Sequence, residues 1–299
     1  YNTMKMILIS IALVLGNSFT GLGDCELNIV PAPNKVIKGE GKWVVKNGLT
    51  IVSTDVKDFS ANYLQDKLDD VFDFPVVVSS QQKGDGCIIF ATDKTIPSEG
   101  YKLEVTEKGI TITSSDKSGQ YYGMQTLLQL FPAGIYSGDN LRIKEYPIDV
   151  LTIEDAPRFA YRGFMLDVSR TFFDLDYLRN YIDWMSSHKL NRLHLHLTDD
   201  NGWRIEIKKY PELTRKGAWR GQNELLPPTY LSGAERYGGY YTQKEMKELI
   251  AYAQKRNVMI IPEFDLPGHA RSSTAVFGDV TCGTHTDKPS ACGEFDNIW

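Results

Sequence analysis

The sequence predicts an α/β fold: a small mixed α+β domain over residues 27–153, then strand–helix repeats over residues 154–299 that build a parallel sheet covered by helices. Two observations carry this. After the acidic, proline-containing stretch Glu154-Asp155-Ala156-Pro157-Arg158 the pattern becomes strand, helix, strand, helix, strand, with largely apolar strand runs. Before that stretch, short runs of strand type are interrupted by two helical segments.

The N-terminus comes first. Met4-Lys5 is followed by the apolar run Met6 to Leu15 and then by small or polar residues from Gly16 onward. That layout is a secretory signal peptide over residues 1–24, with Tyr1 to Thr3 extraneous to it, and the apolar run is too short to span a bilayer. It implies export, to the periplasm or the cell exterior. Cys25 near the cleavage region raises lipid anchoring as an alternative, against which Asp24 stands where a lipoprotein signal has a small residue.

In the mixed domain the expected strands are Trp43 to Val45, Leu49 to Ser53, Pro75 to Val78, Cys87 to Ala91, Tyr101 to Thr106 and Gly109 to Ser114. The helical segments are Phe59 to Val71, with Tyr63, Leu64, Leu68 and Val71 on one side, and Gly119 to Phe131, which turns Tyr122, Leu127 and Leu130 to a core.

The repeats begin with the strand Tyr161 to Val168. A helix follows from Leu175 to Lys189, capped by Asp174, with Leu178, Ile182 and Met185 on its apolar face. Asn191 to Thr198 is the next strand. Asn201 to Tyr241 is rich in Gly and Pro and too irregular for a simple crossover, so it reads as an excursion on the substrate side. Thr242-Gln243-Lys244-Glu245 is a capping box that opens a helix to Lys255, and Asn257 to Glu263 is the third strand.

Composition bounds the function. The 299 residues are 42% hydrophobic and 24% charged, with a net charge of -5 and no long basic run, which argues against a nucleic-acid partner. The four cysteines fit an exported protein with an ordinary core, and Cys282 and Cys292 could close a short disulfide loop.

The chemistry gathers at the strand ends: Asp167-Val168-Ser169-Arg170, Thr198-Asp199-Asp200 and Glu263-Phe264-Asp265-Leu266-Pro267-Gly268-His269. In a barrel of parallel strands these ends share one rim, where catalysis is done. Arg170 offers a rigid fork of donors for sugar hydroxyls or a carboxylate, and Asp199 beside His269 could fix its tautomer for proton relay. A set of salt bridges stiffening the rim is the plainer alternative. His194-Leu195-His196 points two imidazoles to one face of a strand, which also suits a divalent metal, although the pair precedes the strand's end and reads better as core or supporting residues. Residues Asp199 to Gly202 look like part of a calcium loop, but that register puts Leu197 first and Lys208 last, which fails. The aromatics Trp203, Trp219, Tyr237, Tyr240 and Tyr241 could either stack on sugars or form the excursion's own core.

Taken together, Tyr161-Arg162-Gly163-Phe164-Met165-Leu166-Asp167-Val168-Ser169-Arg170, His194 through Trp203 (HLHLTDDNGW) and Pro262-Glu263-Phe264-Asp265-Leu266-Pro267-Gly268-His269 closely resemble the β-N-acetylhexosaminidases of glycoside hydrolase family 20. Ile29 to Pro33 and Tyr122 to Gln129 extend the resemblance back to about residue 27.

The resemblance implies a (β/α)8 TIM barrel, of which about the first three strands are present, behind the small domain. It implies removal of terminal, non-reducing, β-linked N-acetylglucosamine or N-acetylgalactosamine with retention, in a substrate-assisted reaction that uses neither metal nor organic cofactor. N-acetylhexosamine-terminated glycans are then the partners, with no transmembrane span. By motif, Arg170 would bind hydroxyls of the terminal sugar, Asp199 and His269 would form a relay supporting the catalytic acid, and Arg162, Asp167, Asp200 and Asp265 would support them. The family's catalytic Asp-Glu pair follows a His-x-Gly-Gly stretch that does not occur here; the one Gly-Gly is Gly238-Gly239. Glu263 lacks the Asp-Glu adjacency and is not that acid. The chain is therefore expected to be the N-terminal part of such an enzyme, inactive and aggregation-prone by itself because its sheet edges are open. A metal-dependent barrel hydrolase using His194 and His196, and a glycan-binding relative without catalysis, are the competing readings.

Overall fold

A computed structural model describes residues 27–277 apart from 83, 139 and 231. The stretch 1–24 read as a signal peptide, Cys25, Cys282 and Cys292 lie outside the described residues. Cys87 is buried and free.

The first unit is a seven-stranded mixed sheet with two helices packed on it. In chain order it holds β1 (Lys35–Val45), β2 (Thr50–Val52), α1 (Phe59–Asp69), β3 (Val77–Ser79), β4 (Cys87–Thr92), β5 (Tyr101–Thr106), β6 (Gly109–Ser114), α2 (Lys117–Leu128) and β7 (Tyr146–Asp155). The sheet order is β1-β7-β5-β6-β4-β2-β3. Period-two alternation decides which face meets the helices: Tyr101, Leu103 and Val105 of β5 and Ile110 and Ile112 of β6 are buried. Tyr121, Met124, Leu127 and Leu128 of α2 complete the same core. Gly119 lets α2 lie close to the sheet, since a Cβ there would stand 2.1 Å from the Gly100 carbonyl oxygen.

The strand β7 was not foreseen. It pairs with both β1 and β5 and runs into the stretch read as a domain boundary. Its buried positions, Ile148, Leu151 and Ile153, change phase along the strand, and β1 opposite carries a register shift between Lys38 and Lys42. A bulge erases the alternation by which a strand is recognised.

The second unit begins with β8 (Gly163–Asp167), α3 (Leu175–Ser187) and β9 (Arg192–His196). Across the excursion come β10 (Thr198–Asp199) paired with β11 (Gly202–Trp203), α4 (Glu212–Arg215), and β12 (Trp219–Arg220) paired with β13 (Tyr237–Gly238). Then follow α5 (Gln243–Lys255), β14 (Met259–Glu263) and α6 (Arg271–Thr274). Strands β14, β9 and β8 form a parallel sheet with β9 central. The expected caps are in place: the Asp174 carboxylate accepts the Tyr177 N–H at 2.8 Å, and Thr242 and Glu245 make a reciprocal capping box. Leu193 and Leu195 of β9 are fully buried against α3 and α5, with Leu178, Ile182 and Leu249 among their neighbours in one core.

The two units meet through buried polar contacts at the starts of the parallel strands. The Lys189 ammonium donates to Asp155 Oδ2 and Tyr101 Oη, both at 2.8 Å. Tyr121 and Ser186 share a hydroxyl hydrogen bond at 2.7 Å. Arg256 lies over the rings of Phe59 and Tyr63.

Candidate active site

The parallel register decides what meets at the C-terminal rim. His196 stands between Asp167 of β8 and Glu263 of β14, each its direct cross-strand partner. One residue beyond β9 the chain turns into the β10–β11 hairpin, which folds Asp199 back over His196.

Asp199 is the hub. It is 1% exposed, and its Oδ2 receives Arg170 Nη2 at 2.7 Å and His196 Nε2 at 2.7 Å. Its Oδ1 accepts the Asp200 N–H at 2.5 Å and faces His269 Nδ1 at 3.4 Å. The geometry of that last contact falls short of a hydrogen bond, so it is an electrostatic contact. Burial would push the Asp199 carboxyl up, but the bonds from His196 and Asp200, with the charges of Arg170 and His269, hold it below the usual carboxylate range. His196 shows the mirror effect. Burial works against its charge, yet hydrogen bonds to Asp199 and Glu263 outweigh that and push its pKa up to about 9.

Arg170 is half-buried. Its Nη1 pairs with Asp167 Oδ2 at 2.7 Å, and Asp167 Oδ1 accepts the N–H groups of Ser169 and Arg170 at 2.9 Å, so one carboxylate fixes both the turn and the guanidinium. Burial favours loss of its proton, but Asp167 and Asp199 hold its pKa above the ordinary arginine value. His269 adopts a left-handed backbone, φ 51°, which is uncommon for a residue with a side chain.

The structure thus gathers Arg170, Asp167, Asp199 and His269. Asp200 belongs to the edge of this cluster, accepting the Arg271 N–H at 3.0 Å, and burial raises its pKa. Asp265 is tied by its N–H to Thr198 Oγ1 at 3.0 Å, and its carboxylate lies near His196 and Glu263. Arg162 is different. It precedes β8, at the far end from the rim, and its guanidinium serves Glu99, Tyr122 and the carbonyls of Lys189 and Phe159. Its support is to the junction of the two units, because a strand separates its ends by its whole length.

Two groups were missed by the sequence analysis. Arg204 and Arg220 are at most 1% exposed, and neither makes an ion pair with a carboxylate of the described residues. Arg204 donates to the carbonyls of Val168, Ser169, Ala218 and Gly239, pinning the excursion against the end of β8. Arg220 Nη1 donates to the carbonyl of Arg170 itself at 2.8 Å. Desolvation, reinforced by Arg220, pulls the Arg204 pKa down to about 10. The sequence signal was an arginine directly after Gly202-Trp203, in a hairpin too short to hide it from solvent without a partner element.

Two sets of donor atoms lie close enough together to hold a cation: His196 with Glu263 and Asp265, and Asp199 with Asp200 and His269. In the first set, Nδ1 of His196 faces Glu263 at 3.1 Å and Nε2 faces Asp199, so the ring presents no free lone pair unless those bonds are broken. Of the aromatics, Trp203 and Tyr241 are buried in the core of this unit, which settles them as packing residues.

Comparison with known proteins follows the same division. The model described as glycosyl hydrolase family 20, catalytic domain, matches residues 159–297, and the one described as glycosyl hydrolase family 20, domain 2, matches residues 26–156. A β-hexosaminidase of Vibrio furnissii is 38% identical over 248 residues, covering 83% of this chain and 39% of the relative. One from Porphyromonas gingivalis is 36% identical, covering 89% of the chain and 34% of the relative. Among solved structures, a family 20 exo-β-N-acetylglucosaminidase of Vibrio harveyi in complex with N-acetylglucosamine superposes with a TM-score of 0.78 at 34% identity, over 90% of this chain and 41% of that one. A mutant Streptomyces plicatus β-hexosaminidase in complex with the product N-acetylglucosamine gives 0.76 at 33% identity, over 91% and 50%. The chain therefore spans less than half the length of the curated relatives it matches. With both of its units matched by domains of one family, and solved structures of that family superposing over 90% and 91% of its length, the chain belongs to glycoside hydrolase family 20.

Proposed function

We propose that this chain supplies the substrate-gripping rim of an exo-acting β-N-acetylhexosaminidase, which removes terminal β-linked N-acetylglucosamine or N-acetylgalactosamine with retention. One observation carries this: Arg170 and Asp199, an ion pair at the C-terminal ends of parallel strands, with His269 beside the second oxygen of the same aspartate.

Arg170 presents a fixed guanidinium edge to the hydroxyls of the terminal sugar, because Asp167 and Asp199 restrain it from two sides. Asp199 orients His269 by its Nδ1, which leaves Nε2 to support the acid that protonates the leaving oxygen. In a substrate-assisted reaction the acetamido carbonyl oxygen of the sugar attacks the anomeric carbon as the glycosidic bond breaks, and water later opens the cyclic intermediate. The Asp-Glu pair that orients the acetamido group and supplies the proton has no counterpart in the 299 residues, where no aspartate is directly followed by glutamate. The chain by itself is therefore expected to give no turnover. Export rests on the Met4 to Leu15 pattern alone. Among the described residues no helix is long and apolar enough to cross a membrane.

The test is release of 4-nitrophenol from its N-acetyl-β-glucosaminide and β-galactosaminide by the protein expressed from its complete reading frame. Turnover lost in Arg170→Ala supports the proposal. Absence of turnover on both substrates, with the protein folded, overturns it. Turnover by purified residues 1–299 would overturn the expectation for the chain alone.

A further inference from the structure

The Asp199–His269 pair is one end of a longer line of titratable groups. From half-exposed His194, Nε2 lies 2.5 Å from Glu263 Oε2. The same oxygen is 3.1 Å from His196 Nδ1, and His196 Nε2 is 2.7 Å from Asp199 Oδ2. Asp199 then reaches His269 through Oδ1.

An ionised carboxylate accepts hydrogen bonds and cannot donate them. His196 has a carboxylate oxygen within bonding distance of each ring nitrogen, so both contacts are favourable only when both nitrogens carry protons. A neutral ring would turn a lone pair onto Glu263 or Asp199. Charge balance points the same way. The groups facing His196 are Asp167 from β8, Asp199 from β10, Glu263 from β14, Asp265 just beyond it, and His194 from its own strand. Against those four carboxylates stands Arg170, paired with two of them.

We propose that Glu263 and His196 are positioning residues: Glu263 locks His196 as an imidazolium, and that cation, with Arg170, occupies Asp199 Oδ2, so that Oδ1, which also accepts the Asp200 N–H, keeps its second lone pair to orient His269. The significance of the role, though not its existence, rests on the function proposed above. Each residue acts through Asp199, and the pair explains why a strand that needs only apolar side chains for its packing face carries two histidines on the other.

The test is histidine ¹⁵N-labelling of the protein expressed from its complete reading frame, with the His196 ring assigned by its loss in His196→Gln and the ring nitrogens followed from pH about 5 to about 10. His196 is expected to stay doubly protonated at pH about 8, where an unperturbed imidazole is neutral. In Glu263→Gln its midpoint should fall by at least about one pH unit, and the tautomer signal of His269 should change with it. A native His196 that titrates near about 6.5 overturns the proposal. So does a Glu263→Gln chain in which both rings behave as in the native protein. If Glu263→Gln does not fold, the native titration and His194→Gln, which frees Glu263 of its other partner, still decide. No sugar enters this measurement, so a neutral His196 in an active hydrolase sinks the positioning claim alone, and a charged His196 in a protein without hydrolysis sinks the functional one alone.

Discussion

Arg170 Nη2 and His196 Nε2 converge on a single oxygen, Asp199 Oδ2, each at 2.7 Å. Two cations on one buried oxygen leave the carboxylate little freedom to rotate or to take up a proton. The rim is thereby set before any ligand arrives, which lowers the ordering cost of binding.

Arg170→Lys is expected to be nearly as damaging as Arg170→Ala. A lysine keeps the charge but cannot satisfy Asp167 and Asp199 together while presenting an edge to the sugar. In the complete protein kcat/KM should fall by roughly 100-fold, on the order of 3 kcal/mol. A lysine variant within a few-fold of native activity would show that charge alone suffices.

Stability should depend on pH through His196 and Asp199 with opposite signs. The folded pKa of His196, about 9, lies above its unfolded value. Its contribution is full below about 6.5 and is lost as pH rises through about 9, with a size on the order of 3 kcal/mol at most. Asp199 is shifted down, so its contribution is present above its unfolded pKa and lost as pH falls through the folded one. Urea melts at pH about 6 and about 9.5 should show the alkaline loss, and His196→Gln should flatten it. An unchanged alkaline slope in that variant would assign the loss elsewhere.

Arg204→Met should destabilise the fold by about 3 kcal/mol or more, because several buried carbonyls lose their donor at once. Arg204→Lys restores charge without the planar fork and should recover less than half of that. Thermal unfolding reads both. A methionine variant as stable as the native chain would mean that the guanidinium's desolvation cancels its five bonds.

At the junction of the two units, Lys189 and Asp155 are nearly buried and joined at 2.8 Å. Desolvation draws the lysine pKa down, against the pull of Asp155. Lys189→Met alone should cost about 3 kcal/mol by stranding the carboxylate, and Lys189→Met with Asp155→Leu should cost less than the two single changes added together. Strict additivity in a double-mutant cycle would show that the pair is not coupled.

The elements of the second unit were legible because each is encoded locally. Asp174 and the Thr242–Glu245 box mark their helix starts, and Leu178, Ile182 and Met185 recur at helical spacing. The first unit was less legible where its sheet is irregular, as β7 shows. The candidate site divides in the same way. Arg170, Asp199 and His269 were found as strand-end residues in specific motifs, whereas Arg162, equally part of a motif, proved to belong to the opposite end of the strand.

Local sequence determined the helices, most strands, the family and the polarity of β9, with leucines on the packing face and histidines on the other. Tertiary structure alone decided that His196 lies between Asp167 and Glu263, that Arg204 and Arg220 are buried without carboxylate partners among the described residues, and that Asp199 is shared by a guanidinium and an imidazole. The physical reason is register. Periodicity along a strand says which face a side chain takes, but which residue stands beside it on the next strand depends on how the two slide together, and that is fixed by packing between segments far apart in the chain.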